Sequence, residues 1–246
     1  MDLIQLTPQA CQLKGGSNAG LVVADGQAVL IDTGLDRDTA KKILRHVEAL
    51  KVRLAAVVIT HAHADHFGGA ATVRTRTGAP VYAPGLEAAV VENPILEPLY
   101  LFSGALPPAE LRHKFTLAEG CPVDHLIEPG PLAIGDIQLQ VIPAPGHAPN
   151  QVMIGGGGAC FVADALFAPD VLDKHGIPFY VHIDQALDTL DRLPDLNGQY
   201  AAFVPGHGPA VADMAAWAAL NHARLAAIRE AVAAAVMTTG SLPGIL

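Results

Sequence analysis

The chain has 246 residues, of which 24 are acidic and 15 basic, and its formal net charge at neutral pH is −9. This negative charge argues against a broad surface for nucleic-acid phosphates, so we expect no nucleic-acid partner. Hydrophobic residues make up 51% of the chain, but no run approaches the roughly 18 apolar residues of a membrane span, and we expect no membrane partner. A chain of this length can bury a sizeable core, and we predict one structural domain over residues 1–246.

Strand-like patterns occur along the whole chain, separated by turn signals. Asp25-Gly26 between two apolar runs predicts a hairpin, and the glycines at 155–158 predict a second, looser one. The predicted strands lie near residues 3–6, 20–24, 27–31, 55–59, 80–82, 124–127, 137–142, 151–154, 159–163 and 201–204.

Helical patterns lie between these groups of strands. Apolar side chains repeat on one face from 40 to 50, after the capping candidates Asp36 and Asp38, and predict the first helix. Further helices are predicted at 69–77, 85–91, 185–193 and about 212–236. The alternation predicts two β-rich halves, each covered by helices, with a boundary near residues 115–130.

A cluster of metal-ligand side chains follows the apolar stretch 54–59. His61, His63, Asp65 and His66 lie within six residues, a grouping that packing alone gives no reason to assemble. In an extended segment, side chains two apart point the same way, so His61 and His63 can bind one cation while Asp65 and His66 turn towards a second. Imidazole and carboxylate ligands without thiolate suit zinc, with iron and manganese as alternatives.

More ligands are expected downstream, because a metal held by one short loop would be exposed and weakly bound. Three candidates each follow a predicted strand: His147, Asp164 and His207. A loop at the end of a strand presents its side chain from a rigid support. The shared position at strand ends therefore favours these three residues as ligands.

The candidate ligands and their neighbours resemble the metallo-β-lactamase superfamily of metal-dependent hydrolases. The matching segments, in the family's order, are Ile31-Asp32-Thr33-Gly34, Thr60-His61-Ala62-His63-Ala64-Asp65-His66-Phe67-Gly68-Gly69, Gly146-His147, Asp164 and Gly206-His207-Gly208. The resemblance implies an α+β fold, a four-layer αββα sandwich in which helices flank two mixed β-sheets. It also implies that the metals lie at one rim of the seam between the two halves.

The same resemblance implies a role for each candidate residue. It assigns His61, His63 and His147 to the first metal and Asp65, His66 and His207 to the second. Asp164 would bridge the two metals. Asp32 is expected beside the ligands, where it would steady the histidine loop without binding metal itself.

Hydrolysis is the chemistry expected of such a pair of cations. Two divalent ions about 3.5–4 Å apart lower the pKa of a bridging water, so hydroxide is available near neutral pH to attack an electrophilic centre. Asp65, beside this nucleophile, is expected to shuttle a proton to the leaving group in addition to binding metal. We therefore predict a dinuclear metal-dependent hydrolase whose cofactors are two divalent ions, with zinc favoured.

The substrate is predicted from the segment around Asp164. Residues 161–167 resemble the corresponding region of glyoxalase II, but Ala168-Pro169-Asp170-Val171 stands where those thioesterases have a Gly-Cys-Gly-Arg-like element. This departure weighs against a glutathione thioester, and the Arg-Thr-Asp element of persulfide dioxygenases is missing as well. We expect a small acyl substrate, either an ester, a lactone or a thioester. The alternatives are a mononuclear non-haem iron oxidoreductase of the same fold and a phosphodiesterase.

Other segments give expectations about substrate contacts, assembly and location. Lys174 is a candidate contact for a substrate carboxylate, and Tyr180 and His182 are candidate hydrogen-bond donors to a carbonyl oxygen. Residues 93–108, with four prolines, predict a lid, an oligomer contact that would make a homodimer, or a packed connecting loop. No signal peptide is evident and the three cysteines are widely spaced, so we expect a cytoplasmic protein with reduced thiols.

Overall fold

The first of two β-sheets is built from the N-terminal half of the chain. The computed structural model describes residues 1–239. Within them the strands of the first sheet are β1 (Asp2–Gln5), β2 (Ala10–Lys14), β3 (Ala19–Ala24), β4 (Gln27–Ile31), β5 (Arg53–Val58), β6 (Val81–Pro84) and β7 (His125–Ile127). They lie side by side in chain order, antiparallel from β1 to β4 and parallel from β4 to β7.

The second sheet is built from the C-terminal half. Its strands are β8 (Gly130–Ile134), β9 (Ile137–Pro143), β10 (Val152–Gly156), β11 (Ala159–Ala163) and β12 (Ala202–Pro205). They are ordered β12-β11-β10-β9-β8, with β11 and β12 parallel and the other pairs antiparallel. Both sheets are mixed, and the change from one to the other falls between β7 and β8.

Eight α-helices in the described residues connect and cover the strands. They are α1 (Arg37–Ala49), α2 (Ala64–Phe67), α3 (Ala70–Thr77), α4 (Gly85–Glu92), α5 (Leu96–Leu101), α6 (Pro169–His175), α7 (Ile183–Arg192) and α8 (Ala215–Thr239). The predicted cap Asp36 accepts a hydrogen bond from the Thr39 backbone N–H at 3.0 Å, which satisfies one of the free donors at the start of α1. No helix within residues 1–239 is long and apolar enough to cross a membrane.

Three layers of buried apolar side chains hold four layers of secondary structure together. Along β4, Leu30 packs in the core under α1 and α3, whereas its neighbours Val29 and Ile31 pack in the core between the two sheets. A strand buried on both faces is continuously apolar, as this one is. On the far side, Phe203 of β12 packs with Leu190 of α7 in the third core. The predicted helix–sheet–sheet–helix sandwich is confirmed.

Several elements were not predicted, and each breaks the pattern on which prediction depends. Strand β2 contains the buried polar residue Gln12, whose side-chain amide donates to the Gly208 carbonyl at 3.1 Å. Strand β8 begins with Gly130-Pro131 at the sheet edge, a position that tolerates proline. Helix α6 begins at Pro169, the first helical position, where a missing N–H costs nothing. Helices α2 and α5 are too short to show a period.

Strand direction places the candidate residues at one rim of the sandwich. Strands β4 and β5 are parallel in the first sheet, and β9, β11 and β12 run the same way in the second. The carboxyl ends of these five strands lead into the segments that carry Asp32, the histidine loop, His147, Asp164 and His207. The fold thus brings together residues that are far apart in the sequence.

Candidate metal centre

The histidine loop, residues 60–66, leaves β5 in an extended conformation and turns into α2. Its anchor is Asp32, which follows β4 and holds the left-handed conformation at φ +58°. Oδ1 of Asp32 accepts from the Thr60 backbone N–H at 2.8 Å, and Oδ2 accepts from the Thr60 hydroxyl at 2.8 Å and from His66 Nδ1 at 2.9 Å. One buried carboxylate thus fixes both ends of the loop.

Two buried glutamates that sequence reasoning missed hold the middle of the same loop. Glu87 of α4 accepts from the Ala62 N–H at 2.8 Å and, with its other oxygen, from the Asn150 N–H at 2.7 Å. Glu97 of α5 accepts from the Ala64 N–H at 3.0 Å. Each glutamate is only 1% exposed. The signal in the sequence is a single carboxylate on the apolar face of a short helix, which is costly unless it is paired.

The three downstream ligand candidates come from separate strand ends. Asp164 follows Ala163, which has a positive φ of +49° at a register shift between β11 and β12. A Cβ atom at Gly206 would collide with Asp164 Oδ1, so only glycine fits before His207. Backbone strain and a required glycine at one point indicate that this rim is built for a purpose other than packing.

The seven candidate ligands converge on one small volume. His147 Nε2 lies 2.8 Å from His63 Nδ1 and 3.4 Å from Asp164 Oδ2, and the second oxygen, Oδ1, lies 3.4 Å from His66 Nε2. His207 Nε2 is 3.2 Å from Asp65 Oδ2. Ligand atoms around one tetrahedral zinc are roughly 3.4 Å apart when the bonds are about 2.0–2.1 Å. The spacing therefore fits side chains that share cations.

Hydrogen bonds on the outer ring nitrogens determine which nitrogen of each imidazole faces inward. The Nδ1 atom of His61 donates to Thr60 Oγ1, and that of His66 donates to Asp32. The Nδ1 atom of His147 donates to the Phe179 carbonyl, and that of His207 donates to the Gly16 carbonyl. In all four rings this leaves Nε2 directed at the centre, and Nε2 is the nitrogen that can bind a metal when it carries no proton. His63 is the exception, because its Nδ1 faces His147.

The electrostatics of the centre favour bound cations. Burial lowers the pKa of His61, His63 and His147, and that of His63 falls to about 3. These three rings therefore stay neutral and available as ligands. Burial also acts on His207, but Asp164 and Asp65 outweigh it and raise its pKa to about 10. The carboxylates therefore create an excess of negative potential that attracts positive charge.

Buried polar atoms without partners provide the test of whether a metal fits. Among the described residues, His61 Nε2, His66 Nε2 and Asp164 Oδ1 are buried and have no hydrogen-bond partner. Unsatisfied buried polar atoms are costly and rare, and here they converge from two segments, the histidine loop and the end of β11. Three sets of these side chains have the spacing of metal ligands: His61, His63 and His147; His61, His66 and Asp164; and Asp65, His66 and His207.

The candidate substrate contacts lie in different places relative to the centre. A cleft of about 690 Å³ opens above the ligands, and Lys174 lines it. Tyr180 lies behind the candidate ligand His147, with ring centroids 5.9 Å apart, and its buried hydroxyl has no hydrogen-bond partner within residues 1–239. The structure gives His182 a local role, because its Nδ1 accepts from the Gln185 N–H at 3.3 Å at the start of α7, and its side chain does not line the cleft.

Residues 93–108, predicted as a lid, an interface or a connecting loop, form part of the cleft wall. Helix α5 lies within this segment, and Glu97 and Leu101 line the cleft. The Tyr100 ring stacks on the His63 ring with centroids 6.1 Å apart. The segment is therefore packed against the histidine loop from 97 to 101, and exposed beyond it from 102 to 106.

Similar proteins of known sequence include two kinds of hydrolase. The "Probable metallo-hydrolase YqgX" of Bacillus subtilis (strain 168) is 30% identical over 201 residues, which cover 78% of this chain and 85% of that protein. A "Hydroxyacylglutathione hydrolase" of Xanthomonas euvesicatoria pv. vesicatoria (strain 85-10) is 29% identical over 181 residues, 73% of this chain. The match covers 56% of that second relative, so this chain spans little more than half of its length.

Similar solved structures agree in fold, and a family model agrees in sequence. A metallo-beta-lactamase from Pontibacter korlensis superimposes with a TM-score of 0.69 at 20% identity, covering 91% of this chain and 98% of the other. The BLEG-1 B3 metallo-beta-lactamase gives a TM-score of 0.63 at 24% identity, covering 85% and 92%. The model of the metallo-beta-lactamase superfamily matches residues 13–237. With this match over most of its length, the chain belongs to the metallo-beta-lactamase superfamily.

Proposed function

We propose that the protein is a dinuclear metal-dependent hydrolase that cleaves a small acyl substrate, an ester, a lactone or a thioester. The observation that carries this proposal is the convergence of buried, inward-facing imidazole nitrogens on Asp164 at the floor of an open cleft. Zinc is the cation that this set of nitrogen and oxygen ligands suits best, with iron and manganese as alternatives.

The two oxygens of Asp164 support a bridging role. Oδ2 lies 3.4 Å from His147 Nε2, and Oδ1 lies 3.4 Å from His66 Nε2, so the carboxylate faces both ligand sets at once. In this proposal His61, His63 and His147 hold one cation, and Asp65, His66 and His207 hold the other. Asp32 holds Nδ1 of His66 and is not a ligand, since both of its oxygens are already occupied by hydrogen bonds.

The protein's own groups supply orientation and proton transfer. When bound, the cations would provide activated water and polarise an acyl carbonyl at neutral pH. Asp65 lies at the cleft with its side chain 26% exposed, and burial is outweighed by His66 and His207, which lower its pKa to about 2. Its Oδ2 is therefore an ionised acceptor at the cleft surface, in position to take a proton from the attacking water and then pass it to the leaving group.

The relatives support hydrolysis of an acyl compound, but they do not identify the group that carries the acyl chain. One relative is named a hydroxyacylglutathione hydrolase, and its similarity covers 73% of this chain. After Asp164, however, this chain continues with Ala168-Pro169-Asp170-Val171, the start of α6, in place of the element expected for glutathione thioesterases. We therefore propose hydrolysis of a small acyl compound without assigning glutathione as its carrier.

Metal analysis combined with an acyl panel tests this function. We expect two equivalents of metal in the wild type, and hydrolysis of at least one ester, lactone or thioester. His61→Ala and Asp164→Ala should bind less metal and lose at least about 1,000-fold in kcat/KM, because removal of metal catalysis raises the barrier by several kcal/mol. His222→Ala, on the surface of α8, and Asp188→Ala, on the surface of α7, are matched controls that should behave as wild type.

Three results would contradict the proposal. One iron per chain together with consumption of oxygen would indicate the oxidoreductase alternative. Cleavage of phosphodiesters in preference to every acyl compound would indicate the phosphodiesterase alternative. Absence of turnover across the panel in fully metal-loaded protein would exclude acyl hydrolysis.

A further inference from the structure

The cleft above the candidate metal centre has a polar floor and two apolar walls. The floor contains His63, Asp65, His147, Asp164 and His207. The wall from the first half of the chain presents Leu35, Leu101 and Phe115, and the wall from the second half presents Phe167, Val171, Ile177 and Phe179. A mostly apolar cleft with a few convergent polar groups is the usual form of a small-molecule site.

Some of these apolar side chains are exposed to solvent beside the reactive floor. Ile177 is 72% exposed, Phe115 is 59% exposed and Phe179 is 39% exposed. Phe179 also contacts the centre directly, with its ring 5.7 Å from that of His63 and its carbonyl accepting from His147 Nδ1 at 2.8 Å. Exposed apolar side chains that continue into a functional site indicate a surface that its ligand covers.

Fixed positive charge is scarce in the cleft. Of the described residues that line it, Lys174 is the one with a lysine or arginine side chain, and it lies on α6. A carrier such as glutathione brings two carboxylates and an ammonium group, which need several charged or polar partners to replace water. The lining matches an apolar group better than a multiply charged one.

We propose that the two walls bind an unbranched aliphatic acyl chain, so that the substrate is an ester, a lactone or a thioester of a medium-chain fatty acid on an uncharged carrier. This proposal rests on the proposed hydrolase function and specifies its substrate class. The acyl carbonyl lies at the polar floor, and the chain extends between Phe115 and Ile177 towards the mouth of the cleft.

The size of the cleft and the energetics of burial give the expected dependence on chain length. A volume of about 690 Å³ lies within the roughly 300–1,000 Å³ typical of small-molecule sites. Each buried methylene contributes about 0.8 kcal/mol, which is about fourfold in kcat/KM. Successive methylenes should each give this gain until the chain reaches solvent.

The test uses metal-loaded protein and p-nitrophenyl esters from acetate to decanoate, kept below their micelle concentrations. We expect kcat/KM to rise about fourfold per methylene over the first few additions. We also expect octanoyl-N-acetylcysteamine to be cleaved faster than octanoylglutathione, which has the same acyl group on a charged carrier. Hydrolysis with no dependence on chain length, or preference for the glutathione thioester, would overturn the proposal.

Matched variants localise the effect to the walls. Ile177→Ala and, separately, Phe115→Ala should lower the ratio of kcat/KM for the octanoyl over the acetyl ester by about tenfold, the loss of one to two buried methylenes' contribution. Leu126→Ala is the control, because Leu126 is 65% exposed on β7 and does not line the cleft. If both wall variants keep the wild-type ratio and instead change the oligomeric state, these side chains contact a second copy of the chain. That result would overturn the proposal.

Calorimetric binding of alkyl amides separates this proposal from the function on which it rests. Octanamide carries the same chain and resists hydrolysis, so we expect it to bind at least tenfold more tightly than butanamide, and Ile177→Ala to reduce the difference. If octanamide binds in this way but no acyl ester is cleaved, the apolar site stands and the hydrolase function fails. If esters are cleaved but the two amides bind equally, the hydrolase function stands and the chain site fails.

Discussion

The two sources of candidate ligands are supported in different ways. The histidine loop contributes four candidate ligands from one continuous segment, and three carboxylates, from Asp32, Glu87 and Glu97, hold its backbone and His66. His147 and His207 stand alone at strand ends, and main-chain carbonyls of Phe179 and Gly16 orient them. The loop depends on side chains that mutation can remove, whereas the strand-end ligands depend on main-chain geometry.

Replacement of Glu87 should give the largest effect on folding. Its two oxygens satisfy the buried N–H groups of Ala62 and Asn150, and each unsatisfied group costs about 1–3 kcal/mol. We expect Glu87→Ala to lower the free energy of unfolding by about 2–5 kcal/mol in urea titrations, and Glu87→Gln by less, because its amide keeps one acceptor. Glu48→Ala, on the surface of α1, is the control. A loss below about 1 kcal/mol in Glu87→Ala would show that the carboxylate does not support the loop.

Replacement of Asp32 tests the support of a single ligand. In Asp32→Asn an amide replaces one of the oxygens that accept from Thr60 and from His66 Nδ1. We expect metal affinity, measured by competition with a chelator, to fall about 10–100-fold, as for other groups that orient metal ligands. Asp25→Asn is a matched control, since Asp25 has a similar φ of +49° against +58° at Asp32 and lies in an exposed turn. Equal affinities in the two variants would contradict the role of Asp32.

His182 separates a local role from a substrate contact. As the capping residue of α7, it accepts from the Gln185 N–H at 3.3 Å. We expect His182→Ala to cost about 0.5–2 kcal/mol of stability and to change kcat/KM less than twofold. A large fall in kcat/KM at unchanged stability would instead restore the interpretation of His182 as a hydrogen-bond donor to the substrate.

The smallest expected effect concerns Asp36, the cap of α1. A hydrogen bond from the Thr39 backbone N–H, together with Lys114, lowers the pKa of Asp36 to about 2. Because the pKa in the folded state is below the unfolded value near 3.8, the stabilisation is complete above pH 4 and is lost as the pH falls through 2. We expect Asp36→Ala to cost about 1 kcal/mol at pH 7. Asp36→Asn, which keeps an acceptor, should differ from wild type less, and this difference should vanish below pH 2.

Much of the fold follows from the sequence because its core strands have simple patterns. The continuous apolar run of β4 and the amphipathic period of α1 identify both elements and the cap Asp36. Strand β2 escapes prediction because Gln12 is buried yet satisfied by a main-chain carbonyl almost two hundred residues away. Such a partner is a property of the tertiary structure and leaves no local signal.

The same distinction holds at the candidate centre. Ligand-type side chains at strand ends can be recognised one by one, since each follows an apolar run. The supports Glu87 and Glu97 lie in short helices whose sequence shows no partner for a carboxylate, and their function becomes visible only when the N–H groups of Ala62 and Ala64 are placed beside them. His182 shows a related limit, because its position as the cap of α7 depends on a hydrogen bond to Gln185 that the sequence does not reveal, and its role as a substrate contact stays a prediction.

The N-terminal segment closes the rim by direct contact with its last strand end. Asn18 donates from its backbone to the Gly206 carbonyl at 2.7 Å and from its side chain to the Pro205 carbonyl at 2.8 Å, and the Ser17 hydroxyl donates to the Asp65 carbonyl. The Asn18 side chain and the Pro205 carbonyl are 187 positions apart in the sequence, and a contact of such high separation requires a long loop to close before it can form. Assembly of the candidate cation site therefore depends on this long-range pairing. We expect the rate at which refolding protein takes up metal to report when the pairing has formed.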